Sequence, residues 1–326
     1  MTPTTFVARL LPVLLGTSVL CSAQAAVSSI DLGAAAGYSG FFYNNVTTVV
    51  DVEGRLAVGG NLYTSGLSVG YRTPYGVTGP SLVVGGNAHL SSGDIFTGPA
   101  SNVNTNASEG PITEYKKETG YGVFGGSKVG SSDYHDLRQQ TGVIDFAAAK
   151  TQLTKLSTDL NNTAANGTVE LKWGGIYLTG DNTSDLQVFN VNSSQLGNLT
   201  LQNVKSTANV VINVTGGGMV TFSGGQDGQM VSMRDRLIYN LVNATDISMS
   251  TYAYGTVLAN NAVLSAGAGH LEGNIIAKAM TTKVEIGFEP YKAYQPTSPV
   301  PEPETYAMLL AGLGLVGFLA RRRKAA

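Results

Sequence analysis

Few residues in this chain have the types and spacing for chemistry. Asp51, Glu53 and Arg55 stand together in DVEGR, and Arg234, Asp235 and Arg236 form a second charged knot. Two carboxylates, or a carboxylate beside a cationic base, held in a groove are what cleavage of a glycosidic bond requires. DVEGR also fits a Gly-ended corner, and Arg-Asp-Arg fits a solvated edge. That plainer reading is preferred, so no catalysis is expected, and a polysaccharide-active lyase or hydrolase is the alternative. His89, His135 and His270 are isolated, with no HExxH spacing and no cysteine pair, so neither a zinc site nor another cofactor is expected. Asp181 in TGDNTSD and Asp227 in GGQDGQ could offer oxygens to calcium, yet neither follows the EF-hand or nine-residue roll pattern. Both are read as turn aspartates. Gly216, Gly217 and Gly218 follow a strand-like run but lead to no Lys, so phosphate binding is not expected.

The elements that must position these residues are short. GRLAVGGNL from Gly54 and PSLVVGGNAHL from Pro80 carry the same Gly-Gly-Asn at a step of 26 residues. Val257-Leu258-Ala259 and Ile275-Ile276-Ala277 repeat at a step of 18. Each is an apolar or alternating run rich in Val, Ile and Leu and closed by Gly or Asn, which makes strands with corners that tolerate left-handed backbone. Irregular repeats of this length predict a mainly β fold, a β-solenoid resembling a parallel β-helix. In VVINV, Val210, Ile212 and Val214 are expected to point inward while Val211 and Asn213 face out. Asn at corners is expected to stack in ladders along the axis. An antiparallel sandwich is the competing fold, disfavoured because tight hairpin turns are few.

One helix stands out in DFAAAKTQLTKLSTDLNN. Asp145 fits an N-cap, and Phe146, Ala149, Leu153, Leu156 and Leu160 share one face. It is expected to pack along the strands or to cap them. The segment from Gly33 to Thr48 is a second candidate cap for exposed strand edges.

Both ends of the chain read as addresses. Arg9, an apolar run from Leu10 to Leu20 and the small residues of SAQA form a secretory signal, with the cut between Ala25 and Ala26. Its loss removes Cys21, the only cysteine, so the exported chain has no thiol chemistry. At the other end, Tyr306 to Ala320 carries no charge and is followed by Arg321, Arg322, Arg323 and Lys324. Fifteen residues of helix span roughly 22 Å, short of the ~30 Å hydrocarbon core. A C-terminal hydrophobic helix with a basic membrane stop is expected. Losing Arg9 and the four tail cations from 20 Lys+Arg, and Glu304 from 22 Asp+Glu, leaves 15 against 21, a net charge near −6. Such a surface argues against nucleic acid. Residues 291–299 are Pro-rich and read as a linker. Thr is plentiful but has no fixed period, which disfavours an ice-binding face. Asn-x-Ser/Thr triplets at Asn45, Asn106 and Asn213 are read as exposed turns.

The tail resembles a PEP-CTERM sorting signal, with Val300, Pro301, Glu302 and Pro303 as the motif ahead of the apolar run and basic cluster. The resemblance implies a Gram-negative bacterium, cleavage by a membrane-embedded exosortase after signal peptidase has acted, a transient stay in the inner membrane, and delivery to the cell surface or extracellular matrix. DVEGRLAVGGNL, DFAAAKTQLTKLSTDL, WGGIYLTG, LIYNLVNATDISMS and GTVLANNAVLSAGAGHLEGNIIAKAM together resemble the choice-of-anchor A family over residues 26–290. The chain departs from that pattern at Asn260, where Pro follows Val-Leu-Ala in the family. This resemblance implies a structural or adhesive role in biofilm, a glycan or matrix-protein ligand, and no assigned catalytic residue.

Overall fold

In the computed structural model the two largest sheets are parallel throughout, each strand bonded to its counterpart in a neighbouring tier. Residues 27, 29–73, 79–96, 103–106, 110–113, 120–130, 136–295 and 310–313 are described, with 103–106 and 110–113 described as backbone only. The signal peptide with Ala25 and Ala26, the sorting motif Val300 to Pro303, the basic stop Arg321 to Lys324, and His135 lie outside the described residues. Of the expected C-terminal helix, residues 310–313 are described and are helical. Among the described residues no helix is long and apolar enough to cross a membrane.

Strands fall on three faces. On the first, the spatial order is Leu186–Val191, Asn209–Val214, Leu237–Leu241, Thr256–Ala266, Ile275–Met280, Gly40–Phe42, Leu56–Val58, Leu82–Val84, Gly122–Phe124, Leu137–Gln139. Stacking order is therefore not chain order. The chain begins in the middle of the stack, runs to one end, and resumes at the other. It then returns until its last long strand lies on its first, with Gly40↔Ile275, Phe41↔Ile276 and Phe42↔Ala277 in register. The second and third faces close in the same way, through Val46↔Met280 and Val52↔Ile286. The segment from Gly33 to Thr48, expected to cap an end, therefore sits at the waist of the stack. A strand there has neighbours on both edges, which a cap does not.

Both sequence repeats are tiers in register. Leu56 pairs with Leu82 across the 26-residue step, and Val257 pairs with Ile275 across the 18-residue step. The corner ladder is present too. Asn61 N donates to Asn45 Oδ1, Asn87 N to Asn61 Oδ1, and Ser127 N to Asn87 Oδ1, each at 2.8 Å. The paired glycines before each rung are dictated by this contact. A Cβ on Gly85 would lie 2.5 Å from the Gly59 carbonyl, and one on Gly86 would lie 2.3 Å from Asn61 Oδ1. Antiparallel pairing among the described residues is confined to the hairpins of Val103–Asn106 with Gly110–Thr113 and Thr168–Lys172 with Gly175–Thr179, and to the bridge Ile30↔Tyr294. The parallel ladders exclude the antiparallel sandwich.

The helix, α1, spans Phe146–Asn162, capped by Asp145, whose side chain accepts from Ala148 N at 2.9 Å. It packs along the outer side of the first face and buries Ala149, Leu153, Leu156, Ser157 and Leu160. Val211 and Asn213, expected to face solvent, do leave the interior, but α1 covers them and both are fully buried. Val211, Ile238, Leu258, Ile276 and Phe41 form a second core under α1, distinct from the interior core that holds Val210, Ile212 and Val214.

Polar groups in that second core fix where the helix sits. Asn213, Asn240 and Asn260 donate from Nδ2 to the α1 carbonyls of Leu160, Ser157 and Leu153, at 3.0, 2.8 and 2.9 Å. Asn240 also donates to Asn213 Oδ1, and Ser157 Oγ donates to Asn240 Oδ1. A buried amide left without partners costs about 1–3 kcal/mol, so the tiers and the helix are locked in one register. Asn260, the departure from the family pattern, is one of these locks and also accepts from Tyr43 OH at 2.7 Å. Asn213 is thus no exposed turn. Asn45 is exposed at a corner, and the side chain of Asn106 lies outside the described residues.

The stretch read as a linker begins packed on the domain. Tyr291 is buried, its OH accepts from Asn209 Nδ2 at 2.8 Å, and Ile30 N donates to Tyr294 O at 3.1 Å. Replacing Asn240 by Leu strips the partners from Ser157 Oγ, the Ser157 carbonyl and Asn213 Oδ1 together. The expected loss is about 2–4 kcal/mol of unfolding free energy by chemical denaturation.

Candidate functional site

The third face collects charge where the two ends of the chain meet. Its strands run, in space, Tyr252–Tyr254, His270–Glu272, Glu285–Ile286, Asp51–Val52, Leu67–Val69, Gly93–Ile95. Alternation along each strand turns Val52, Leu271 and Ile286 inward, where they are fully buried, and puts the polar residues between them on the outer side. Register then aligns Tyr252, His270 and Glu285 in one column, with Asp51 from the far end of the chain next in line.

Glu53 and Glu272 converge on Arg72. Arg72 Nη1 donates to Glu53 Oε2 and, at 3.1 Å, to Glu272 Oε1, while Arg72 N donates to the Glu53 carbonyl. Glu53 Oε2 also accepts from Phe288 N at 3.0 Å, and Tyr71 OH reaches both Glu53 Oε1 and Asp51 Oδ2. Glu272 Oε2 accepts from Tyr252 OH and meets His270 Nε2 at 2.9 Å, while His270 Nδ1 faces Glu285 at 3.4 Å. Gly287 lies against Glu272 and His270, and a Cβ there would stand 2.6 Å from Glu272 Oε2 and 2.9 Å from His270 Nε2. Tyr252 stacks on the His270 ring at 4.2 Å.

Electrostatics follow from burial and from an excess of negative charge. Burial pushes the Asp51 carboxyl up to about 6, helped by Glu285 and Glu53. Glu53 is raised by burial against the pull of Arg72. Burial alone would raise Glu272 also, but the His270 hydrogen bond and the Arg72 charge outweigh it and hold the carboxyl below its ordinary range. For His270, burial opposes the charged form, but the hydrogen bond to Glu272 and the charge of Glu285 leave the imidazole raised.

The arrangement binds a cation, and Arg72 supplies it. Ligand atoms of Glu53, His270 and Glu272 lie within 4.8 Å of one another, so the three could hold a divalent ion only if the guanidinium moved aside.

Of the residues singled out in sequence, Asp51 and Glu53 reach this site and Arg55 does not. Arg55 Nε donates to the Pro80 carbonyl at 2.9 Å, and its guanidinium lies over the Tyr38 ring. Arg234 pairs with Glu289 at 2.8 Å, and Asp235 pairs with Arg236 and Lys292, so that knot fastens the C-terminal stretch. Asp181 accepts from Thr183 N and Ser184 N, and Asp227 caps a short helix through Gln229 N and Met230 N. Their oxygens serve turns. His89 stacks on Tyr63 at 4.4 Å on the second face. Glu272, Tyr71 and Arg72 are the residues that sequence reasoning missed, and His270, read as isolated, has Glu272 and Glu285 against its two ring nitrogens. The 18-residue step that aligns Tyr252 with His270 was a usable signal for part of the column, whereas the contact with residues 51–53 was not.

Residues 31–288 match the model of the family described as "Putative Ice-binding-like adhesive domain". The chain belongs to that adhesive-domain family. Residues 299–324 match the PEP-CTERM protein-sorting motif, which marks an adhesive-domain protein exported in a Gram-negative bacterium and processed by exosortase. No curated protein and no solved structure gives a match.

Two outcomes test the cluster. A carboxyl whose pKa is raised on folding binds its proton more tightly folded than unfolded. Its favourable contribution is therefore present at low pH and is lost as pH rises through about 6. Asp51→Asn should accordingly be more stable than wild type at pH 8, by on the order of 1 kcal/mol once solvent screening is allowed for, with the gain gone near pH 4 in thermal melts. Arg72→Met removes the guanidinium that two buried carboxylates share and should cost about 3–5 kcal/mol at neutral pH, read from the same melts.

Proposed function

We propose that this is an adhesive protein of the cell surface or extracellular matrix, built as one β-solenoid and released there by exosortase after a transient stay in the inner membrane. The observation that carries this reading is the pairing, in one chain, of an adhesive domain over 31–288 with a sorting motif over 299–324. The solenoid reading is supported by parallel ladders on three faces whose registers follow the sequence repeats. Membership of the choice-of-anchor A group fits the same residues, and a biofilm role fits the destination.

We infer no catalysis. Among the described residues, the cluster that brings carboxylates together, Asp51, Glu53 and Glu272, is engaged internally by Arg72, Tyr71 and His270. An ice-binding face finds no support in the column Thr47, Tyr63, His89, Val129 on the second face, which does not repeat Thr.

Sorting is tested with one tag at the C-terminus and another in the exposed turn at Gly142. Wild type should lose the C-terminal tag and appear outside the cell by fractionation. Replacing Pro301, Glu302 and Pro303 by Ala should keep both tags in the membrane fraction. Retention of both tags there by wild type would refute sorting.

A further inference from the structure

The far end of the stack carries a feature that neither folding nor sorting requires. Lys172 pairs with Gly175 in the antiparallel hairpin, so Trp173 and Gly174 are its two-residue turn. Their φ values are +50° and +76°, both left-handed. Such a turn selects Asn-Gly or Asp-Gly, because a bulky side chain is strained there. Here the position holds the only tryptophan of the chain, 84% exposed. A strained aromatic residue, placed where it gains no burial, points to a role outside the fold.

Its surroundings are ordered. The indole meets the Tyr177 ring edge-on at 5.4 Å, and Lys172 Nζ lies over both rings, at 5.2 and 4.6 Å. Glu170 holds that ammonium at 2.8 Å. Beside Trp173 opens a cleft of about 490 Å³, bordered by Ser193, Gln195 and Asn198 and by Gly175 and Gly197. The volume is that of a small-ligand site. An aromatic face, side-chain amides and a hydroxyl, and glycines that let a ligand approach the backbone are the groups that recognise a sugar ring. The apolar C–H face of a pyranose stacks on indole while its hydroxyls bond to amides. Lys172 and Glu170 neutralise each other, which favours an uncharged sugar.

We propose that this hairpin tip is a glycan-binding site for uncharged oligosaccharides, with Trp173 as the stacking platform and Gln195, Asn198 and Ser193 as hydrogen-bonding partners. The proposal rests on the adhesive reading and gives it a ligand class.

Because Trp173 is the sole tryptophan, intrinsic fluorescence of the purified exported chain reports on this site alone. Titration with cello-, chito- and manno-oligosaccharides should give a saturable change with at least one of them. By calorimetry with that sugar, Trp173→Ala should weaken binding about tenfold or more. Trp173→Asn, which suits the turn, should abolish binding while raising the melting temperature. That rise separates loss of the platform from loss of the fold. No spectral change with any of the three sugars, or binding by Trp173→Ala equal to wild type, overturns the proposal. A concentration-dependent shift without sugar, with dimer on gel filtration, also overturns it and assigns the tip to self-association. Beads coated with the chain keep the two readings apart. If Trp173→Ala beads attach to a biofilm as wild type does, adhesion stands and this site falls. If wild-type beads attach to no biofilm, the adhesive reading falls.

Discussion

The pairing of the first strand with the last holds the molecule together. Gly40–Phe42 lies between Leu56–Val58 and Ile275–Met280, so each half of the stack ends on the other half's backbone. Without that pairing two unpaired parallel edges would face water at the middle of the protein, with their interior cores open. The closure joins residues more than 230 positions apart, so it is formed by the whole chain or not at all. Parallel pairing at such separation carries a large loop-closure cost, offset here by the surface the closure removes from water.

Beginning in the middle creates a transport problem that α1 solves. After Leu137–Gln139 at one end, the chain must reach Leu186–Val191 at the other. Tiers are about 4.8 Å apart, and fourteen helical steps from Phe146 to Leu160 cover about 21 Å. That matches the four spacings from the Phe41 tier to the Asn213 tier, where those two residues are in fact seated. The helix thus covers the first face of the returning half, and that explains why the strands there are buried on both sides. The ionic cluster at Arg72 answers a different need. It ties residues from both halves of the stack together on the third face.

Local features were legible in the sequence. The period of the strands, the Gly-Gly-Asn corners, the cap at Asp145 and the apolar stripe of α1 are all set by neighbours within one tier or one turn. The order of tiers was not legible, because a strand such as Gly40–Phe42 reads the same whether it ends a stack or sits within one. The burial of Val211 and Asn213 was hidden for the same reason, since alternation tells which side of a sheet a residue takes but not what covers that side. At the candidate site, Asp51 and Glu53 were visible as charges in a corner. Their partners Glu272 and His270 come from the last coils and join them only through closure.

The packing of the domain's two flanks against each other decides how force enters the protein. Ile30 and Tyr294 are bridged, so both flanks of the domain leave from one place. A pull on the C-terminal side is met first by Tyr294 on Ile30, by Asn209 on Tyr291 and Lys292, and by Arg234 on Glu289. Those contacts lie on three separate segments and resist sliding together before any ladder is loaded. Tyr291 N on Asn274, Lys292 N on the Asp235 carbonyl and Asn209 on Lys292 step across successive tiers towards Leu186–Val191, so a pull at residue 295 is spread over the returning half of the stack and enters near its end.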